Sequence, residues 1–376
     1  MKPLTVVQTL PALESGGVER CTLETARALV AAGHRSIVIS SGGRLVDQLT
    51  QEGSEHINLP VKSKSPLTLL QVRPLRRLLH TSGADIIHAR SRVPAWIAWL
   101  AWRGMPAASR PRLVTTMHGL NSVNAYSAIM TRGEAVIAGS ETVRRYIREH
   151  YPDCPETRLH LIFEGVDPAE FPYNYQPDER WLAQWHADFP ELAGKIVLAL
   201  PGRLTRLKGH ESFIRLLNQL RPQFPHLHGL IIGGAEAKKA AYADELKAAV
   251  TEAGLDPHIS FTGQRSDMRE VLSQCDLVFS LSTQPETFGR TTLEALRLGK
   301  PVLGWDRGGV GEILARCYPA GRVPSDDTAA LLARCREWLQ APSVPPPSTD
   351  FLLSSMCDET LALYQQLAQS RLVTRL

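Results

Sequence analysis

The chain has 376 residues, 43% hydrophobic and 21% charged, ordinary values for a globular protein of about two domains. Its six cysteines form no C-x-x-C pair, and the closest two lie 18 positions apart, which argues against a structural zinc site or a disulfide framework and for a reducing compartment. The net charge of +4 is uneven: residues 1–150 hold 19 Lys and Arg against 10 Asp and Glu, and the remainder holds 23 against 28. A basic first half suggests an anionic partner there, either a phosphorylated substrate or an acidic lipid surface, or else only a solvated positive face.

Taken in order, strand-like runs alternate with helix-like ones. Apolar strands are expected at 4–8, 36–40, 85–88, 113–117, 135–138, 196–200, 229–232, 259–261, 277–281 and 301–303. Several are near-continuous Val/Ile/Leu runs, as parallel strands covered on both faces require. Helical patterns fall at 18–31, 66–80, 141–150, 210–220, 235–253, 290–298, 326–339 and 350–372. This alternation means βαβ units and an α/β fold of two doubly wound parallel sheets. It pauses at 163–191, a proline-rich linker with a short helix, and again at the Pro-rich 341–348. Domains are therefore expected at 1–168, with 350–372 returning to it, and at 169–349. Ligands of such sheets bind at the carboxyl ends of strands, so two facing sheets would put the site in the cleft between them. The N-terminus lacks a long apolar stretch, and the longest nearly apolar run, Val93 to Trp102, is far short of the ~20 residues needed to span a bilayer. The chain is expected to be cytoplasmic, or at most peripherally attached. Trp96, Trp99 and Trp102 recur three apart, either packed on the core or forming a membrane-touching stripe.

The residues with chemistry stand where strands end. In 282–312 a buried strand runs into a polar loop, and Phe288-Gly289 opens a helix beginning at Arg290. Glu286 lies in that loop and Glu294 within the helix. Between them the first N–H groups of the helix favour an anion. An anion site with a carboxylate on either side suits a phosphorylated polyol. Arg203 and Lys208 lie in the loop after another strand, and two fixed cations are what a leaving diphosphate needs. Arg206 in the same loop reads as solvated. No D-x-D occurs, so a metal is not expected to hold the diphosphate. Gly16-Gly17 opens the first helix without the G-x-G-x-x-G of a dinucleotide site, which excludes a dehydrogenase. His118-Gly119 ends a strand and is either placed to meet a ligand or packed structurally. Arg90 and Arg92 end another strand and are candidates to grip an anionic acceptor from one rim. Gly234 and Gln264 end two further strands, as parts of a nucleobase pocket or as plain turns.

The ordered set resembles glycosyltransferase family 4, of GT-B fold: Gly16-Gly17-Val-Glu-Arg, His118-Gly119, Glu164-Gly-Val-Asp167, Gly202-Arg203-x4-Lys208-Gly209, and Glu286-x7-Glu294 with Phe288-Gly289. It spans nearly the whole chain, and His-Ala-Arg-Ser-Arg with Glu-Thr-Phe-Gly-Arg is similar to the branch that builds lipopolysaccharide core and surface glycans. The resemblance implies retaining transfer from a nucleotide-sugar, a UDP-sugar ahead of GDP-mannose, to a hydroxyl of a glycan or lipid-linked acceptor. No cofactor or metal and no nucleic acid are expected. It implies that Arg203 and Lys208 hold the diphosphate, Glu294 the ribose and Glu286 the donor sugar. The N–H groups of Phe288, Gly289 and Arg290 hold sugar and phosphate oxygens, Gly16 and Gly17 leave room for the diphosphate, and His118 sits beside the sugar. The acceptor is expected on the basic first domain, which could also touch the inner membrane from its cytoplasmic face. Two departures stand out. Glu164 occupies the usual asparagine position before Gly-Val-Asp, and Thr287 the usual glycine of E-G-F-G. A sugar-nucleotide epimerase or a non-catalytic scaffold on the same fold are the competing readings. The basic rim argues against the first and the retained Lys208, Glu286 and Glu294 against the second.

Overall fold

The computed structural model describes residues 3–235 and 240–373. The chain divides into two compact units, Met1–Gly165 with Leu353–Leu376, and Val166–Leu352.

The first unit is built in the order β1 (Thr5–Thr9), α1 (Gly17–Ala31), β2 (Arg35–Ser40), α2 (Val46–Gln51), β3 (Glu55–Asn58), a 3-10 turn (Pro66–Gln71) running into α3 (Val72–Thr81), β4 (Ile86–Ala89), α4 (Arg92–Arg103), β5 (Arg112–Met117), β6 (Ala135–Ala138), α5 (Glu141–His150) and β7 (Leu159–Leu161). The second continues with α6 (Glu179–Asp188), β8 (Ile196–Pro201), α7 (His210–Leu220), β9 (Leu227–Ile232), α8 (Ala240–Glu252), β10 (Ile259–Gly263), α9 (Met268–Ser273), β11 (Leu277–Ser280), α10 (Arg290–Arg297), β12 (Val302–Trp305), α11 (Gly308–Cys317), β13 (Arg322–Val323) and α12 (Thr328–Gln340). The last helix, α13 (Leu353–Val373), belongs to the first unit. Residues 236–239 of the helix expected over 235–253 lie outside the described residues.

Both sheets are wholly parallel, ordered β3-β2-β1-β4-β5-β6-β7 and β10-β9-β8-β11-β12-β13. In the first, strand alternation sends Val6, Ile86 and Val114 to the face covered by Met356, Leu363 and Tyr364 of α13. The register pairs Val6 with Ile86 and Val7 with Ile87. Val7, Ile87 and Leu113 therefore take the opposite face, under the helices that carry Leu75, Leu79, Ile97 and Ile147. Two covered faces are why these strands read as unbroken apolar runs. The second unit repeats the plan around Leu198, Leu200, Phe213, Ile231 and Phe279.

Each sheet reverses its winding once. In the first the chain goes outward from β1 and returns to start β4 beside it; in the second it leaves β8 and returns to start β11. Those two gaps are the topological switch points, where loops at the strands' carboxyl ends diverge and leave room for a ligand. The tryptophan stripe of α4 packs half-buried on the first unit's core. The indole N–H groups of Trp96 and Trp102 donate to the carbonyls of Tyr126 (2.9 Å) and Pro111 (2.8 Å). All six cysteines carry free thiols.

Candidate active site

In the second unit the loops after β8 and β11 flank the switch point and bring two of the expected side chains into contact. Lys208 Nζ donates to Glu286 Oε1 at 2.7 Å, with the two side chains 28% and 23% exposed. The Ser282 hydroxyl donates to the same carboxylate oxygen. Burial would raise the Glu286 carboxyl, but the Lys208 charge and the hydrogen bonds from Lys208 and Ser282 outweigh it and hold the group below the ordinary carboxylate range. Glu286 is thus an anion at neutral pH. Ser282 escaped the sequence reading because it follows directly on the apolar run of β11, with only its spacing of four from Glu286 to mark it.

Glycines make this approach possible. Gly209 has φ +77°, and a Cβ there would lie 2.1 Å from the carbonyl oxygen of Leu281. Only glycine lets α7 begin against the end of β11. Gly289, at φ +102°, caps α10 in the same way, and its Cβ would meet Val310 at 2.8 Å. The glycine-rich start of α11 lies backbone on backbone against the Glu286 loop, with the Gly309 N–H donating to the Glu286 carbonyl at 2.9 Å. Phe288 is buried and meets the ring of Phe351 edge-on at 5.5 Å. Behind it Glu294 is 6% exposed, with Arg290 Nε 3.8 Å from its carboxylate. The N-terminus of α10, four residues after Glu286 in the chain, presents its first N–H groups on the carboxyl-end side of β11. Arg203 is exposed on the Lys208 loop, and Arg206 is exposed and paired with Glu245. Gly234 and Gln264 are brought side by side: an isolated bridge joins Gly233 to Gly263, and a Cβ on Gly234 would lie 3.2 Å from that of Gln264.

The first unit carries its own cluster at the β1/β4 switch point. Gly16-Gly17 is exposed at the N-terminus of α1. His118, after β5, has Nδ1 3.2 Å from Glu164 Oε1 and Nε2 3.4 Å from an Arg90 guanidinium nitrogen. A carboxylate only accepts and a guanidinium only donates, so Nδ1 carries the proton and Nε2 accepts. Glu164, unusual at its position, is thereby the partner that orients the ring. Arg90 corrects an expectation: it does not lie on a rim with Arg92. It is 3% exposed and donates to Gln8 (2.8 Å), Thr25 (2.9 Å) and the Cys21 sulfur (3.2 Å). Arg92, half-buried at the start of α4, donates to Ser127 at 3.3 Å. The two diverge because Arg90 ends a central strand and turns under α1, whereas Arg92 already belongs to the next helix. Behind Arg90, His88 is fully buried between the Tyr364 hydroxyl (2.5 Å) and Thr116 (2.7 Å). Burial, with the charges of Arg90 and His118, holds it well below the usual histidine value. A cavity of about 20 Å³, room for one water, lies among these groups.

Two family models match this chain in succession, Glycosyltransferase Family 4 over residues 15–170 and Glycosyl transferases group 1 over residues 183–346. The chain belongs to the family 4 glycosyltransferases. Among curated relatives of this enzyme, the lipopolysaccharide core biosynthesis mannosyltransferase LpcC of Rhizobium leguminosarum is 29% identical over 57% of the glycosyltransferase and 57% of its own length. LpsB of Rhizobium meliloti, of the same description, is 29% identical over 50% and 49%. The match spans about half of each of these relatives. The crystal structure of a glycosyltransferase from Rickettsia africae is 26% identical and superposes with a TM-score of 0.85 over 98% of the glycosyltransferase and 99% of that chain. HepE of Anabaena, solved with UDP and glucose, covers 98% and 99% at a TM-score of 0.78 and 21% identity, a likeness that bears on the fold alone. The two parallel-sheet units are those of the GT-B fold.

Proposed function

We propose that this glycosyltransferase moves a sugar from a nucleotide-sugar to a hydroxyl of a glycan or glycolipid acceptor, with retention at the anomeric carbon and without a metal ion. One observation carries the reading: a lysine ammonium and an ionised carboxylate meet at the β8/β11 switch point, on a loop that runs four residues on into the N-terminus of α10. In the reaction the bond from the anomeric carbon to the diphosphate oxygen breaks and a bond to the acceptor oxygen forms. The acceptor's proton leaves with the diphosphate. Lys208 and the α10 N–H groups stabilise the charge that grows on that leaving group, and Arg203, on the same loop, adds a second cation. Binding of the diphosphate frees Glu286 from Lys208 to accept hydrogen bonds from sugar hydroxyls. Glu294 is assigned the ribose, and Gly234 with Gln264 the base. Arg90 drops out of the acceptor site because it is buried.

A UDP-sugar is the favoured donor, in keeping with the ligand that accompanies HepE. GDP-mannose is the competing donor, because LpcC and LpsB are named mannosyltransferases. The names of the same relatives support an acceptor among lipopolysaccharide core or related surface glycans, and we take the transfer to run at the cytoplasmic face of the inner membrane. Thermal-shift titration with UDP, GDP and ADP and then their sugars separates the donors. Retention is read from the anomeric coupling of the product by NMR, and an inverted product overturns that part. Transfer should persist in EDTA; its abolition, restored by added Mg²⁺ or Mn²⁺, would overturn the role given to Lys208 and Arg203.

A further inference from the structure

The stretch that closes the second unit carries a backbone outlier that the chemistry above does not use. Among the described residues, three that are not glycine have positive φ: Asn174, Asp326 and Phe351. Asparagine and aspartate tolerate that region, because a short polar side chain can hydrogen-bond locally. Phe351, at φ +56°, has no such means. It is also only 7% exposed, although the proline-rich residues before it run mostly over the surface. A residue in such a conformation persists where its surroundings over-determine it, and such residues gather at functional sites.

The surroundings of Phe351 do over-determine it. The Val166 N–H donates to its carbonyl at 3.1 Å, and Val166 forms an isolated parallel bridge with Leu352. Arg297, buried in the last turn of α10, donates to the carbonyls of Ser348 and Asp350. The Asp350 N–H donates to Ser348 Oγ at 3.1 Å. The Arg316 guanidinium of α11 lies 5.2 Å from the centre of the Phe351 ring. Held in this way, the ring meets Phe288 edge-on. Phe288 stands between Glu286 and Gly289, the residue that caps α10. It is 2% exposed, whereas residues 283–285 just before Glu286 are exposed. Phe288 is thus the buried end by which the loop is tied down. Residues 348–351 grip α10 at both ends, through Phe288 ahead of its first turn and through Arg297 in its last.

We propose that Phe351 is a positioning residue for the transfer, acting through Phe288 to fix the backbone that carries Glu286 and the first N–H groups of α10. The proposal rests on the donor reading above. When a diphosphate draws Lys208 away, Glu286 loses its ionic partner, and its loop then needs a hold that does not depend on charge. A buried pair of aromatic rings supplies one. A turn alone would be served better by glycine at φ +56°, so what keeps phenylalanine there is the contact its ring makes.

Two substitutions separate these roles. Phe351→Gly suits the backbone and removes the ring, while Phe351→Leu keeps the conformation and most of the apolar volume but not the aromatic edge. Hydrogen exchange on the full chain reads the loop without any donor. An edge-on aromatic pair shifts an opening equilibrium by up to about tenfold. Amides of residues 286–293 should therefore exchange about threefold faster in Phe351→Leu and about tenfold faster in Phe351→Gly, with residues 210–216 of α7 unchanged. Calorimetric binding of UDP or GDP, whichever the wild type takes, should weaken about tenfold in Phe351→Gly, and kcat/KM should fall about 10²-fold. Phe288→Leu/Phe351→Leu should be less than about twofold worse than either single change, because both act through one contact. Wild-type exchange at 286–293 in both variants overturns the proposal. So does wild-type behaviour of Phe351→Gly, which would leave Phe351 only a turn, and so does faster exchange with undiminished binding and turnover. A rise in exchange spread evenly over the second unit overturns it as well. If the wild type binds neither nucleotide, the donor reading fails separately, and the exchange pattern alone decides whether Phe351 holds the loop.

Discussion

The two switch points share one topology and treat charge in opposite ways. In the second unit Lys208 meets a single carboxylate, remains about a quarter exposed and stands one residue before the glycine that caps α7. In the first, Arg90 is sealed under α1, its guanidinium held by an amide, a hydroxyl, a sulfur and an imidazole. A cation at the carboxyl end of a strand is thus available to a ligand only if the fold leaves it a wet side and a partner that can be exchanged. Lys208 meets both conditions. Arg90 meets neither, and its contribution is to hold β1, β4 and α1 together.

The sharpest way to break this contrast is to remove the two cations separately. Lys208→Ala should lower kcat by 10²- to 10³-fold, about 3–4 kcal/mol of barrier, while leaving the melting temperature near that of the wild type. Undiminished turnover would mean that the Glu286 pairing is only structural. Arg90→Leu should act the other way. It leaves the acceptors of Gln8 and Thr25 without a donor in a closed site and should cost about 3 kcal/mol of unfolding free energy, measured by urea titration.

Acid sharpens the comparison further. His88 is held below its ordinary value of 6.5, so the unfolded chain takes up a proton that the folded chain refuses. Stability should therefore fall as pH drops below 6.5, by up to about 1.4 kcal/mol per pH unit, and His88→Gln should flatten that slope. The smallest effect is expected at Glu286, whose folded value lies below 4.5. Its stabilising pairing is complete above pH 4.5 and is lost as pH falls through the lower folded value. Between neutral pH and the acid side of that window, wild type should lose more stability than Glu286→Gln, by under about 1 kcal/mol because the pair is partly exposed.

The central strands were legible because they are covered on both faces, which forces unbroken apolar runs such as 135–138 and 196–200. The strands that escaped the reading, β3, β7 and β13, all lie at sheet edges, where one side of the ladder is unpaired and a polar sequence such as Glu55-His-Ile-Asn suffices. Helix α11 was hidden by its glycines, which weaken helix propensity but let it lie directly on the Glu286 loop.

By itself the sequence determined the α/β alternation, the family, and which loops carry the cations, carboxylates and glycines, because these follow from local period and residue type. Only the tertiary structure decided that Ser282 and Lys208 share Glu286, that Glu164 orients His118, and that Arg90 is buried rather than on a rim. Those outcomes depend on which strands become neighbours and which faces are covered, and long-range packing settles both.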